Sequence, residues 1–468
     1  VLKLDLDPCE RMPSLIDTKI ARCASWEEFR FLANAQKTPK EKGDLFERLT
    51  QIYLQTHPIY RSKIKHVWWC NQPIKSELPE KIRAKLNLPT DDEGIDLMCE
   101  THEGEYWSVQ SKYRADSSKP LNTKELAKFL TLSFITGKNI TAGLVLHTQA
   151  KKIQKSYLMG NTYEIGLQNW LNIDEKLWDQ IINVCKKNIL KPPPKREPRP
   201  YQKTPIAETV NHFNQNAFSR GKLIMPCGTG KSLMAYWIAR KLGVKSIIIA
   251  VPALALLKQT LEDWTSEFLA EGLIPEWIAI CNDPSTGNLR DADSTIASVY
   301  ETGIPVTTNI YEIQKFLKSD SENTKIVFTT YNSGPNLAEA CKSLNIEFEL
   351  LIADEAHKTV GPEGKSFSTL LFDENVRIKK RLFMTATERI YTGRRKDVVS
   401  MDDTNVFGDI AHQMSFKQAI QEGAICDYKI ITMAISENEV AQLIDNEADI
   451  LAKLKTKKIK TDAYHLAV

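Results

Sequence analysis

Beyond residue 200 the chain alternates short apolar runs with stretches in which apolar residues recur every three or four positions. Ser246–Val251, Lys325–Thr330, Leu350–Asp354 and Arg381–Thr385 are runs of strand length, and Lys231–Leu242 and Ala253–Trp264 carry the helical period between them. Buried strands alternating with helices predict a parallel sheet covered on both faces. Before residue 165 the pattern is mixed α/β. Gly94–Glu100, Tyr106–Tyr113 and Thr141–His147 read as strands, with His102-Glu103-Gly104-Glu105 as a hairpin turn. Residues 1–40 read as a small helical preface in which Ser25 caps the helix begun by Trp26-Glu27-Glu28-Phe29. A helical stretch over 168–190 runs into Lys191-Pro192-Pro193-Pro194-Lys195-Arg196-Glu197-Pro198-Arg199-Pro200. Consecutive prolines favour an extended, semi-rigid linker, and its basic residues leave both a solvated spacer and a DNA-tracking strip open. The expected division is 1–40, a mixed α/β domain over 41–165, a linker region over 166–198, a parallel-sheet domain over 199–415, and the beginning of another unit over 416–468. Two separately cored domains are expected to meet through a small, partly polar interface.

Composition narrows the class. A chain of 468 residues exceeds what one core usually organises, and 42% hydrophobic with 26% charged residues is ordinary for a globular protein. A formal charge of +3 does not advertise nucleic-acid binding, so any such surface must be local. The nine cysteines at 9, 23, 70, 99, 185, 227, 281, 341 and 426 contain no Cys-x-x-Cys pair. They imply reduced thiols and a cytoplasmic setting, not a disulfide frame or zinc site. No apolar run approaches the ~20 residues of a membrane span, so no membrane partner is expected. The opening Val1 suggests that residues precede it.

Met225-Pro226-Cys227-Gly228-Thr229-Gly230-Lys231-Ser232 sits between a short strand (Leu223–Met225) and a helix. Glycines there let backbone N–H groups converge on phosphate oxygens, and the helix N-terminus adds partial positive charge. Lys231 is the candidate for the β- and γ-phosphates of ATP and Ser232 for the accompanying Mg2+. Leu351-Ile352-Ala353-Asp354-Glu355-Ala356-His357 is an apolar strand ending in two carboxylates, Asp354 for the metal and Glu355 for the attacking water. Met384-Thr385-Ala386-Thr387 ends another strand, and Tyr201-Gln202 precedes the phosphate loop, Gln202 to pair adenine and Arg199 or Tyr201 to pack its ring. Met225 replaces the usual first Gly or Ala.

In this order the motifs resemble the first RecA-like domain of superfamily-two helicases and translocases. Val251-Pro252-Ala253 through Lys258-Gln259, and Thr329-Thr330-Tyr331-Asn332-Ser333, are similar to that family's nucleic-acid-contacting motifs, which position a strand through phosphates without reading sequence. The family's second RecA-like domain supplies arginines in a Gln-x-x-Gly-Arg-x-x-Arg motif. Gly393-Arg394-Arg395 lacks that pattern, and Ser415–Gly423 followed by Asp427-Tyr428-Lys429-Ile430-Ile431 reads as the entry to such a domain. The chain is therefore expected to bind ATP better than it turns it over.

In the earlier region Glu93-Gly94-Ile95-Asp96-Leu97 opens one strand, and the returning strand carries Trp107-Ser108-Val109-Gln110-Ser111-Lys112. Alternation along the strand puts Gln110 and Lys112 on one face. An Asp on one strand with Gln-x-Lys on its neighbour resembles the PD-(D/E)XK nucleases in their Gln variant. The resemblance makes Asp96 and Gln110 ligands for Mg2+ and gives Lys112 the attacking water and the phosphate charge. Gly43-Asp44-Leu45-Phe46-Glu47 is similar to the helix start of Mrr-like members, which adds Glu47 to the candidate site, although Leu45, Leu49 and Ile52 share the opposite face. Lys124 and Lys128, one turn apart, are possible phosphate contacts.

An Mrr-like nuclease followed by a superfamily-two motor resembles the front of type ISP restriction–modification enzymes. That likeness implies an α/β nuclease domain, a RecA-like motor and the start of a second RecA-like domain, acting on double-stranded DNA with ATP and Mg2+. Target-recognition and methyltransferase modules are then expected on a missing C-terminal part. An antiviral or repair nuclease–helicase without a methyltransferase remains open, as does a nucleic-acid-gated ATPase with an inactive nuclease fold.

Overall fold

The computed structural model describes residues 14–70, 77–90, 94–214, 218–282, 298–344, 346–362, 366–391 and 398–427. Glu93, Gly393-Arg394-Arg395 and everything from Tyr428 onward, including the expected second RecA-like domain's entry strand, lie outside the described residues.

Four helices open the chain: α1 (Leu15–Ile20), α2 (Trp26–Asn34), α3 (Pro39–Thr56) and α4 (Pro58–Lys63). Ser25 caps α2 as its sequence predicts, its side chain accepting from the Glu28 N–H. Helix α3 starts at Pro39, four residues before Gly43. Thr38 and Glu41 form a reciprocal capping box, and Pro39 stands where a helix needs no N–H.

A five-stranded sheet follows, with β1 (Ile64–Trp69), β2 (Leu97–Thr101) and β3 (Tyr106–Lys112) antiparallel, and β4 (Ile140–His147) and β5 (Thr162–Ile165) continuing parallel to β3. One face packs on α3, where Leu45, Phe46, Leu49 and Ile52 meet Leu97, Val109, Leu144 and Leu146. The other is covered by α6 (Thr123–Thr131), which follows the short α5 (Glu80–Lys85), and buries Met98, Tyr106 and Val145 against Leu126 and Phe129. The stretch 168–190 is two helices, α7 (Leu167–Leu171) and α8 (Glu175–Lys187), because Asp174 caps a fresh start on the Leu177 N–H.

Beyond the linker, α9 (Pro200–Asn214) leads into β6 (Arg220–Ile224), α10 (Lys231–Leu242), β7 (Ser246–Val251), α11 (Leu254–Ala270), β8 (Glu276–Ile280), α12 (Ile310–Lys318), β9 (Lys325–Thr330), α13 (Gly334–Lys342) and β10 (Phe348–Ala353). Two residues of β11 (Gly361–Pro362) pair antiparallel with β13 (Val398–Val399), on either side of β12 (Ile378–Thr385). The short α14 (Thr404–Phe407), β14 (Asp409–Gln413) and α15 (Phe416–Gln421) complete the described chain. The seven-stranded sheet has the order β14-β6-β12-β10-β7-β9-β8, with every neighbouring pair parallel. This is the RecA-like arrangement, with the strand ends that carry the motifs on one edge.

Each sheet keeps a cluster of its own on one face, and the two share a third. One hydrophobic cluster runs from Phe46, Trp170 and Tyr163 in the first region to Ile304, Trp277 and Leu223 in the second. Helix α4 lies on α11 and β8. Tyr60 Oη donates to Gly303 O (2.8 Å), Trp277 Nε1 to Ser62 Oγ (2.9 Å), and Val306 N to Tyr163 Oη (3.0 Å). Gly303 has φ +70, and an added Cβ would stand 3.0 Å from Tyr60 Oη and from Ile165 Cγ1, so the close approach needs glycine. The contact is partly polar, as expected, and the aromatic residues on α4, β5 and β8 also bury each other, so one hydrophobic cluster crosses it.

The proline-rich linker forms neither helix nor strand, and two of its basic residues, Lys195 and Arg196, meet carboxylates on or beside α11. Arg196 reaches Asp263 (2.7 Å) and Glu267 (3.6 Å) on α11, and Arg61 Nη1 donates to Lys191 O (2.6 Å). Neither reading of the linker, free spacer or DNA-tracking strip, fits Arg196. Among the described residues no helix is long and apolar enough to cross a membrane.

Candidate active sites

The first site lies where β2 and β3 meet. The Asp96 N–H donates to Val109 O (3.0 Å), which fixes the residue just before β2 against the centre of β3. Its carboxylate Oδ2 accepts from the Ser111 backbone N–H (2.6 Å) and closely from Gln110 Nε2. Gln110 is 2% exposed, so its amide is held in place, with Nε2 committed and Oε1 left as its acceptor. Lys112 stands two residues on, on the same face of β3.

Glu47 belongs to this group and not to solvent. Thr50, one turn further along α3, bonds Ser111 on β3 (3.1 Å), which turns that side of the helix toward the strand. Burial raises the Glu47 carboxyl, and Asp96 and then Asp44 add to the effect; Lys112 and Lys40 pull it back, leaving it near about 8. The structure thus brings Asp96, Gln110, Lys112 and Glu47 together. Two carboxylates and an amide oxygen suit a hard divalent cation, and the raised Glu47 marks a pair of like charges that a cation would relieve. Among the described residues no three His, Cys, Asp or Glu gather into a metal-binding group. Lys124 and Lys128 are exposed.

The second site is at the carboxyl edge of the seven-stranded sheet. Between β6 and α10 the chain turns through Gly228 (φ +83) and Gly230 (φ +82). These left-handed conformations are open to glycine at little cost. Thr229 Oγ1 closes the turn on Pro226 O (2.8 Å), and Lys231 Nζ folds back on Met225 O (3.2 Å) and Pro226 O (3.5 Å). Lys231 Nζ is also 4.0 Å from Glu355 Oε1, so the loop faces the carboxylates that end β10. Burial lifts the Asp354 carboxyl to about 6, with Glu355 adding to the rise and Lys231 opposing it. Glu355 has φ +50, a costly conformation for a side chain of its kind, and strain of this sort collects at functional turns.

Several fixing contacts were not evident from the sequence. Tyr331 Oη donates to Asp354 O (2.6 Å), His357 Nδ1 shares a hydrogen bond with Thr385 Oγ1 (3.0 Å), and Trp264 Nε1 donates to Ser232 O (3.2 Å). They join the motifs at 329–333, 351–357 and 384–387 to one another, and the phosphate loop to α11. Gln202 stands beside the phosphate loop. Its Oε1 accepts from Arg199 N (2.9 Å) and its Nε2 donates to Thr229 O (2.9 Å), so the amide bolts α9 to the phosphate loop. Each of these bonds leaves a second N–H on Nε2 and a second lone pair on Oε1. Tyr201 is buried beside it, its Oη accepting from Arg199 Nη1 (3.4 Å). Lys258 faces the first domain, where it and Glu262 stand beside His57.

Comparison with known proteins finds a family match in each of the two regions. Residues 195–390 match the family described as type III restriction enzyme, res subunit, and residues 55–165 the family described as restriction endonuclease. A probable helicase A859L of African swine fever virus (isolate Tick/Malawi/Lil 20-1/1983) is 28% identical over 264 residues, covering 56% of this chain and 27% of that protein. The type I restriction enzyme EcoAI endonuclease subunit of Escherichia coli is 22% identical over 244 residues, 51% of this chain and 24% of that one. The solved structure of the ATP-dependent type ISP restriction–modification enzyme LlaBIII bound to DNA matches with a TM-score of 0.68 and 26% identity over 94% of this chain and 28% of that chain. The chain therefore spans about a quarter of the length of these relatives.

Proposed function

We propose that this chain, a restriction endonuclease domain joined to a ResIII-type helicase domain with the architecture of type ISP restriction–modification enzymes, is the front of an enzyme that moves along double-stranded DNA with ATP and cuts it. The observation that carries the reading is the coexistence of two complete polar constellations on one buried frame. Asp96, Gln110, Lys112 and Glu47 close around one point, and Lys231 faces Asp354 and Glu355 at the other.

At the nuclease site Asp96, Glu47 and the Gln110 amide oxygen would hold a divalent cation, Mg2+ in the simplest case. Such an ion neutralises phosphate charge and makes water acidic. Lys112 adds a fixed positive charge beside the water and the developing phosphorane oxygens. The Ser111 N–H holds the Asp96 carboxylate in its orientation throughout. At the motor site the phosphate loop N–H groups and Lys231 bind the β- and γ-phosphates of ATP. Ser232 and Asp354 take the nucleotide's Mg2+, and Glu355 accepts the proton of the attacking water. Target recognition and methylation would come from modules elsewhere on the same polypeptide.

The test is Mg2+-dependent nicking of supercoiled plasmid by this chain and by its Asp96→Ala and Lys112→Ala variants. Nicking by the unaltered chain that both variants lose, while ATP still binds, supports the reading. No nicking over a range of divalent cations, or nicking that survives Asp96→Ala, removes the nuclease half.

A further inference from the structure

The hydrogen bond from Tyr331 to Asp354 spans 23 positions of sequence and joins two sites with different tasks. Tyr331 lies in Thr329-Thr330-Tyr331-Asn332-Ser333, the run at the end of β9 that resembles a nucleic-acid-contacting motif. Asp354 and Glu355 follow β10, in front of the phosphate loop. Within the run, Thr330 Oγ1 donates to Ser333 Oγ (3.2 Å), which donates to Oδ1 of the exposed Asn282 (2.9 Å). Asn332 is exposed as well, whereas Tyr331 is 2% exposed. The run therefore shows amide groups to solvent while its tyrosine points inward.

The atom that accepts this bond gives it leverage. The Asp354 carbonyl and the Glu355 N–H belong to one planar peptide unit. Tyr331 Oη holds the carbonyl end at 2.6 Å, and the N–H end donates to Asp354 Oδ1 at 2.9 Å. The Asp354 N–H is itself fixed to Ala250 O (2.9 Å) on β7. One hydroxyl thus sets the plane that orients the Asp354 carboxylate and starts Glu355, whose φ of +50 is costly. Were that plane to turn, the Glu355 N–H would leave Asp354 Oδ1 and both carboxylates would move. Burial, then Asp354 and Glu355, hold the Tyr331 hydroxyl well above the usual tyrosine range, so it stays a donor. The Phe367 ring, 5.7 Å away between centroids, seats the tyrosine from the side.

We propose that Tyr331 is a positioning residue that carries DNA contact at 329–333 to the ATP site by holding the Asp354–Glu355 peptide. The inference rests on the motor reading given above, in which the run meets DNA phosphates and the two carboxylates serve ATP. A strained turn secured by one hydrogen bond is an element that two sites can bias. DNA that presses on the run moves the hydroxyl, and the hydroxyl moves the peptide. The same bond works in reverse, because coupling between two binding sites is reciprocal.

The chain is titrated with mant-labelled ATP and Mg2+, alone and saturated with a short duplex of mixed sequence whose phosphorothioate links resist cutting. The duplex should change ATP affinity by about fivefold or more, and ATP should change duplex affinity by the same factor. Tyr331→Phe keeps the ring and loses the donor, so the effect of the duplex on ATP affinity should fall to within about twofold. Phe367→Leu disturbs the packing around the ring but leaves the hydroxyl, and should retain the coupling. Coupling of full size in Tyr331→Phe, or none in an unaltered chain that binds both probes, overturns the proposal. So does an equal loss in Phe367→Leu, which assigns the effect to packing and not to the hydrogen bond. An unaltered chain that fails to bind mant-ATP or the duplex removes the motor reading itself, and this inference falls with it.

Discussion

Trp277→Ala should destabilise the nuclease and motor regions together. Trp277 lies on β8 of the motor sheet, is 2% exposed, donates to Ser62 Oγ at 2.9 Å, and has Lys63 Nζ 5.0 Å from its ring centroid. Truncating a buried tryptophan costs about 3–5 kcal/mol. The hydrogen bond accounts for about 1 kcal/mol of that and the cation–π contact for roughly 0.5–1 kcal/mol; the remainder is lost packing. Against a total stability of about 5–15 kcal/mol this is a large fraction. Trp277→Phe keeps most of the ring and removes the bond to Ser62, so it should cost about 1–2 kcal/mol. Because the core is continuous, calorimetry of the chain should show one main transition that both substitutions move down, the alanine further. Two well-separated transitions, with the nuclease one unmoved by Trp277→Ala, would refute the shared core and restore the modular picture.

Lys231→Ala should abolish ATP binding, read by nucleotide titration, because no other described side chain on the phosphate loop carries a positive charge. Glu355→Gln should keep ATP bound and lose hydrolysis in a polypeptide that carries both RecA-like domains, since the amide keeps the shape but accepts no proton; normal turnover there would reverse the roles of Asp354 and Glu355. Acid should weaken the fold through His57, which faces Lys258 and Glu262. Its folded pKa is depressed to about 3 from 6.5, so stability is intact above pH 6.5 and declines below it as the unfolded chain takes up the proton. By pH 4.5 the loss is up to about 2.7 kcal/mol. His57→Phe should flatten that stretch of a denaturation-versus-pH profile, and an identical profile would remove His57 as its source.

Much of this was legible in the pattern of residues. The strands over 246–251 and 325–330 and helix 231–242 lie where apolar runs and period put them. The edges moved where local chemistry decided them: a capping box set the start of α3, and Asp174 split the helical stretch after 166. Strand alternation put Gln110 and Lys112 on one face, and the resemblance to PD-(D/E)XK nucleases added Asp96 across the hairpin. Glu47 could not be placed that way. Its helical wheel points away from Leu45 and Leu49, and the contact that turns it inward joins Thr50 to Ser111, two polar residues 61 positions apart. The shared core was invisible for a similar reason, since Tyr60, Tyr163 and Trp277 each read as an ordinary buried aromatic until the fold brought them together. Gln202 lies beside the loop, and its bond to the Thr229 carbonyl, which the motif did not reveal, uses one of its two amide hydrogens.

The pinned linker has a geometric meaning for cutting. Ten residues of free, proline-rich chain would give a tethered nuclease a reach of roughly 30 Å and let it sample any phosphate within that radius. Here Arg196 is fastened to α11, Arg61 grips the Lys191 carbonyl, and Tyr60 is seated against Gly303, so the nuclease has no leash to swing on. If the chain translocates and cuts as proposed, the scissile bond would stand at a constant offset from the nucleotide-binding sheet, and the spread of cut positions would record where motors stop rather than how far a blade can wander.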